Sequence, residues 1–182
     1  AWFADKRFMV DQDTCILHSG KVVNVFSYYA PAQKQVWKKA IDAAKDAVRS
    51  RSQWIGEYPF STVSVVQGPE SFGGGMEYPT ITVISPVADE RLLDFTIAHE
   101  IGHNWFYGIL GSNERKYPWL DEGLNTYYDN RYSEWKYGGK DLRFGSNYFS
   151  LKNAERILFA TKAAIHRDQP ISTSSEELTN AN

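Results

Sequence analysis

Two histidines and two glutamates near the middle of the chain have the types and the spacing that metal-dependent hydrolysis requires. His99, Glu100 and His103 belong to the segment HEIGH, and Glu122 belongs to the later segment WLDEG. Histidines four residues apart lie on one face of a helix, so their ring nitrogens can bind one zinc ion. Glu100 lies beside that face, where it can take a proton from water held at the metal. The residues alone therefore predict a zinc hydrolase.

The third metal ligand is expected to come from a second helix. Glycines between residues 107 and 113 predict a turn, and a helical pattern starts again near Trp119. Because helices joined by a short loop tend to lie side by side, Glu122 is expected next to the two histidines. Three protein ligands leave one position open for water, which is typical of a catalytic zinc site.

Hydrophobic periodicity predicts the elements that position these residues. Strands are expected over residues 21–29, 61–67 and 80–85, and helices over residues 31–54, 89–107, 119–137 and 148–166. Strands in the first half followed by helices in the second half indicate an α+β fold. The stripe of small and apolar residues along the first helix is expected to be core.

Length, charge and cysteine content exclude several other classes of protein. The chain has 182 residues, which suits one domain, and a formal net charge of −2, which does not indicate a nucleic-acid partner. The single Cys15 cannot form an intrachain disulfide and is expected to be buried or incidental. No apolar run approaches the roughly 20 residues that cross a bilayer. No feature of the sequence indicates an oligomeric state.

Three motifs in this order resemble the aminopeptidase N family of zinc metallopeptidases, which belongs to the gluzincins. They are HEIGHNWF from His99, WLDEG from Trp119, and the upstream GGGMEYP from Gly73, which is similar to the family's Gly-x-Met-Glu-Asn segment. The resemblance implies a thermolysin-like fold, with a mixed-sheet lobe over about residues 1–88, a helical lobe over residues 89–182 and the active site between them. It also implies a strand over residues 1–10, an upstream β domain and a downstream helical region outside this chain.

The resemblance assigns a role to each matched residue. His99, His103 and Glu122 would bind one zinc ion per chain, and Glu100 would be the general base. Glu77 would hold the free α-ammonium group of a peptide substrate. The backbone of the adjacent edge strand would approach that substrate closely, which involves Gly74, Gly75 and Met76.

The chain differs from the family pattern at two points. Tyr78 stands where the common motif has asparagine. The family's oxyanion-stabilising tyrosine normally lies further beyond the third ligand than this chain extends, so we expect it to be absent here. Five tyrosines of the helical half are expected to pack against other helices instead: Tyr127, Tyr128, Tyr132, Tyr137 and Tyr148.

The resemblance implies an aminopeptidase that removes N-terminal residues from peptides. The alternatives are a gluzincin endopeptidase, an epoxide hydrolase, and a non-catalytic peptide-binding module on a peptidase scaffold. We expect this piece to be inactive or weakly active without the oxyanion tyrosine. The parent protein is expected in the periplasm or outside the cell.

Overall fold

A mixed β-sheet forms the first half of the molecule. The computed structural model describes residues 1–138 and 151–178. Over these residues the sheet has five strands, in the spatial order β1-β2-β3-β5-β4. The strands are β1 (Met9–Ile16), β2 (Val22–Tyr29), β3 (Thr62–Gln67), β4 (Gly75–Met76) and β5 (Ile81–Ile84). Strands β2, β3 and β5 are parallel, whereas β1 and β4 pair antiparallel with their neighbours. The short β4 is therefore an edge strand.

Helices make up most of the second half and one connection of the first. They are α1 (Lys34–Trp37), α2 (Ala40–Trp54), α3 (Glu90–Gly102), α4 (Leu124–Tyr137) and α5 (Leu151–Ala164). A 3₁₀ turn at Pro31–Gln33 precedes α1, and a π-helical turn at Trp119–Gly123 precedes α4. Helix α2 connects the parallel strands β2 and β3. The expected α+β fold class is thus confirmed.

The core lies between the sheet and the helices α2 and α3. Valines at alternate positions of β2 and β3 are fully buried, as period-2 strands require. Helix α2 contributes a buried face of small residues, and α3 packs against it. Small side chains let two helix axes approach closely, so α2 supports the helix that carries the HEIGH segment. Cys15 is also buried, as expected.

Two predictions for the first half of the chain need correction. Residues 1–8 precede the first strand, and the predicted strand over residues 1–10 is wrong there. In this region the Asp5 carboxylate accepts a hydrogen bond from the Arg7 backbone, and the Phe3 ring packs against Tyr28. The predicted helix over residues 31–54 is also interrupted by a turn between α1 and α2. At this break the fully buried Trp37 stacks on Tyr29.

The helices of the second half differ from prediction at their ends. Helix α3 stops at Gly102 rather than near residue 107. The chain then turns through shorter backbone hydrogen bonds, from Asn104 N–H to the Ile101 carbonyl and from Trp105 N–H to the Gly102 carbonyl, and Tyr107 has a φ of 95°, outside the helical region. The predicted start of the last helix, including Tyr148, lies outside the described residues. Tyr132 is fully buried as expected, but the packing prediction fails for Tyr127, whose side chain is 64% exposed.

A search of the described helices for a membrane-spanning segment finds none with the necessary length and apolar character.

Candidate metal centre

Helix α3 places the two histidines on a well-supported element. The Asp89 carboxylate caps its first turn by accepting hydrogen bonds from the backbone N–H groups of Arg91 and Leu92. His99 lies in the last turn. His103 is the C-cap residue, with φ −63° and ψ −14°. Because these angles remain helical, the two imidazoles keep the i, i+4 relation predicted for one helix face.

The predicted ligand atoms converge. The Nε2 atoms of His99 and His103 are 3.2 Å apart. Glu122, on the π-helical turn before α4, places its Oε2 atom 3.4 Å from Nε2 of His99 and 3.7 Å from Nε2 of His103. The Glu122 side chain is 59% exposed, so the site opens to solvent on this side.

Each imidazole is oriented by a carboxylate behind it. Nδ1 of His99 lies 2.7 Å from Oδ2 of Asp129, and Nδ1 of His103 lies 2.6 Å from Oδ1 of Asp121. Since a carboxylate accepts hydrogen bonds, each ring carries a proton on Nδ1, and the Nε2 atoms of both rings face Glu122. Carboxylate–histidine pairs of this kind typically support metal ligands.

The arrangement of these atoms fits a zinc ion. Ligand atoms about 2.0–2.2 Å from one tetrahedral ion lie about 3.3–3.6 Å apart, close to the three separations observed. Two Nε2 atoms and a carboxylate oxygen this close together are stabilised by a cation between them, which is either a proton or a metal ion. Burial disfavours a charged His99, yet hydrogen bonds to Asp129 and Glu122 outweigh it and raise the pKa of His99 to about 10. The negative surroundings therefore favour positive charge at this point.

Glu100 lies beside the ligand set. Its carboxylate, a carboxylate oxygen of Glu77 and a ring nitrogen of His103 all lie within 4.8 Å of one another. The Glu100 residue is only 5% exposed. Burial raises the pKa of Glu100 to about 7, although the neighbouring histidines act to lower it. A carboxylate of this pKa can accept and return a proton near neutral pH.

The glycine-rich motif brings the sheet edge against Glu100. Gly75 and Met76 form β4 and pair with Ile84 and Val83 of β5. A Cβ atom at Gly75 would overlap the Glu100 carboxylate, so only glycine allows this approach. Gly74 has φ of 93°, a left-handed conformation that also favours glycine. The carbonyl of Gly74 accepts a hydrogen bond from the backbone N–H of Ser85 at 2.9 Å.

Sequence reasoning missed the residues that support the ligands. Asp121 belongs to the segment WLDEG but receives no role from the sequence, and Asp129 lies outside the recognised motifs. The available signal was spacing, because Asp129 follows Glu122 by two helical turns. Asn125 is also fully buried, and its Nδ2 donates a hydrogen bond of 2.7 Å to the His99 carbonyl. Arg51 lies far away in sequence and gave no such signal.

Comparison with known proteins identifies relatives through both sequence and fold. No family model matches the chain. Human aminopeptidase B is 31% identical over 135 residues, which cover 67% of this chain and 20% of that protein. Leukotriene A-4 hydrolase from Xenopus laevis is 34% identical over 111 residues, which cover 58% of this chain and 18% of that protein. The chain thus spans about a fifth of the length of these curated relatives.

Two solved structures share the fold. The M1 zinc metallopeptidase from Deinococcus radiodurans is 20% identical with a TM-score of 0.66, covering 93% of this chain and 35% of that one. Legionella pneumophila aminopeptidase A in complex with aspartic acid is 18% identical with a TM-score of 0.61, covering 77% of this chain and 18% of that one. With these relatives and this arrangement of motifs, the chain belongs to the aminopeptidase N family of zinc metallopeptidases.

Proposed function

We propose that the full-length protein is a zinc-dependent aminopeptidase in which His99, His103 and Glu122 hold the metal ion. The observation that carries the proposal is the 3.2 Å approach of two Nε2 atoms, each on a ring whose Nδ1 faces a carboxylate. A zinc ion bound there would act as a Lewis acid and lower the pKa of a bound water to about 7.

The chain's own residues then divide the remaining work. Glu100 takes a proton from the attacking water and later returns it to the leaving amine. Glu77 accepts hydrogen bonds from the α-ammonium group of the substrate, which restricts the reaction to peptides with a free N-terminus. The backbone of Gly74, Gly75 and Met76 lies along this end of the substrate. Gly74 has no side chain to obstruct the substrate, whereas the space beside Gly75 holds the Glu100 carboxylate.

The proposal also includes the arrangement of the two lobes around the site. We infer a thermolysin-like arrangement with the catalytic groups between a sheet lobe and a helical lobe. The close approach of Gly75 in the sheet to Glu100 in α3 supports it. The Glu77 carboxylate at the sheet edge lies within 4.8 Å of the proposed base, which supports a peptide substrate with a cationic N-terminus.

Hydrolysis of matched peptides tests this function. The full-length protein is incubated with a short peptide and with its N-acetylated form, and products are separated by chromatography. We expect release of single N-terminal residues from the free peptide and no cleavage of the acetylated one. Cleavage of both peptides at internal bonds would instead identify an endopeptidase. Turnover of an epoxide but of neither peptide would identify an epoxide hydrolase, and binding without turnover would identify a non-catalytic module.

A further inference from the structure

A buried arginine on α2 reaches the back of the proposed metal centre. Arg51 is fully buried, and its guanidinium donates a hydrogen bond of 2.5 Å to Oδ1 of Asp129. The other oxygen of Asp129 lies 2.7 Å from Nδ1 of His99. Both carboxylate oxygens are therefore engaged, which fixes the plane of the carboxylate and the direction in which it meets the imidazole.

The same guanidinium also contacts the backbone on both sides of this pair. It donates to the Tyr128 carbonyl at 2.8 Å and to the Ala98 carbonyl at 3.4 Å. Tyr128 immediately precedes Asp129 on α4, and Ala98 immediately precedes His99 on α3. Arg51 thus connects α2, α3 and α4 at the positions from which the ligand and its carboxylate partner project.

The two histidines differ in this support. Asp121, the partner of His103, is buried but forms no ion pair with a lysine or arginine of the described part of the chain. Asp129 has Arg51 as a fully buried cation. A buried carboxylate without a compensating charge destabilises the fold. Arg51 and Asp129 must therefore be replaced together if neither is to leave a buried charge unpaired.

A glycine in the HEIGH segment leaves space for this contact. A Cβ atom at Gly102 would overlap Oδ1 of Asn125 and lie 3.1 Å from Nε of Arg51. Asn125 and Arg51 therefore approach α3 from behind at the one residue of this turn that lacks a side chain. The Arg51 side chain, which projects from α2, therefore lies packed between α3 and α4.

We infer that Arg51 is a positioning residue of the metal centre, which holds Asp129 so that the Nε2 atom of His99 points at the metal. The inference rests on the proposed metal centre and extends it to a helix outside the recognised motifs. The competing role is purely structural: the ion pair would tie three helices together without affecting how His99 meets the metal.

A charge-neutral double variant separates the two roles. Arg51→Met combined with Asp129→Asn removes both charges, so neither is left buried without its partner. The zinc dissociation constant is measured by competition with a chelator, and the His99 tautomer is read from imidazole ¹⁵N chemical shifts. Unfolding of the zinc-free chain in urea reports stability. Arg49→Met, an exposed arginine on the same helix, is the matched control.

If Arg51 and Asp129 together position His99, the double variant binds zinc about 10–100-fold more weakly, as is typical when partners of metal-bound histidines are lost. Its ¹⁵N shifts also depart from those of the Nδ1–H form, whereas Arg49→Met matches the wild type. Because this variant also removes the direct partner of His99, Arg51→Lys assigns the effect of Arg51 alone. Wild-type zinc affinity and shifts in the folded double variant would overturn the inference.

A second variant keeps the test decisive if the double variant does not fold. Arg51→Lys retains the positive charge but loses the planar fork that binds Asp129 and the two carbonyls. We expect weaker zinc binding with Arg51→Lys and unchanged binding with Arg49→Lys. Equal affinities for the two lysine variants would contradict the inference. A wild-type chain that binds no zinc would instead refute the proposed metal centre itself.

Discussion

Glu100 is next to His99 in sequence, but its carboxylate belongs with Glu77 and His103, whose polar atoms lie within 4.8 Å of it. A buried carboxylate placed this way can exchange a proton with water without joining the ligand set. Glu100→Gln keeps the shape of the side chain but cannot take the proton. In the active full-length protein we expect kcat to fall about 10²–10⁴-fold with zinc content unchanged. Full turnover by this variant would refute the assignment of the base.

Gly75 lets the sheet edge approach that carboxylate. A Cβ atom there would collide with Glu100, so Gly75→Ala must displace either the base or β4. We expect the variant to retain zinc, because none of the three proposed ligands is touched, and to lose most of its peptide hydrolysis. The measurement is kcat together with zinc content. Gly20→Ala places a methyl group far from the site, where it meets no atom within 4 Å, and should leave kcat unchanged although its φ of 88° adds backbone strain.

Helix α3 carries His99 and Glu100 and has His103 as its C-cap, and its start is fixed by Asp89. The Asp89 side chain accepts two backbone hydrogen bonds at 2.8 and 2.9 Å. Replacing such a cap with alanine typically costs about 1 kcal/mol. We expect Asp89→Ala to lower the free energy of unfolding in urea by about that amount. Asp42→Ala, in the first turn of α2, should change it by less than about 0.5 kcal/mol. Equal effects would show that the cap contributes nothing specific.

The secondary-structure elements differ in how well their local sequence predicts them. The sequence predicts strands β2, β3 and β5 because buried strands are rich in β-branched residues, which occur either at alternate positions or in continuous runs. Strand β1 is not predicted because half of its sequence MVDQDTCI is polar without alternating regularly, and its Val10 and Ile16 are more than half exposed. The predicted end of α3 is too late because the glycines that indicate a turn, Gly108 and Gly111, lie beyond the true end of the helix at Gly102.

At the proposed site, too, residues within short motifs can be predicted from the sequence, whereas contacts between distant segments cannot. Fixed spacing within two short segments indicated His99, Glu100, His103 and Glu122 together, because a helix converts spacing into a shared face. The support of His99 could not be predicted in this way. Arg51 meets Asp129 across 78 positions of the sequence, and only the packing of α2 against α3 and α4 brings them together.

For the whole molecule, zinc binding should increase the thermal stability of the folded chain. A ligand that binds only the folded state stabilises it by about 2.7 kcal/mol at 100 times its dissociation constant. For a chain of this size we expect zinc to raise Tm by about 5–10 °C over a chelator-treated sample. Differential scanning calorimetry with zinc, with magnesium and with chelator measures this. No rise with zinc, or an equal rise with magnesium, would contradict a site of two imidazoles and one carboxylate.

We expect the 182-residue chain by itself to assemble a zinc site from His99, His103 and Glu122. The most direct test is the zinc content of the purified, folded chain after removal of loosely bound metal, beside a His103→Ala variant. We predict about one zinc ion per chain for the wild type and almost none for the variant. A folded wild-type chain that holds no zinc, even after zinc is added back, would contradict the account.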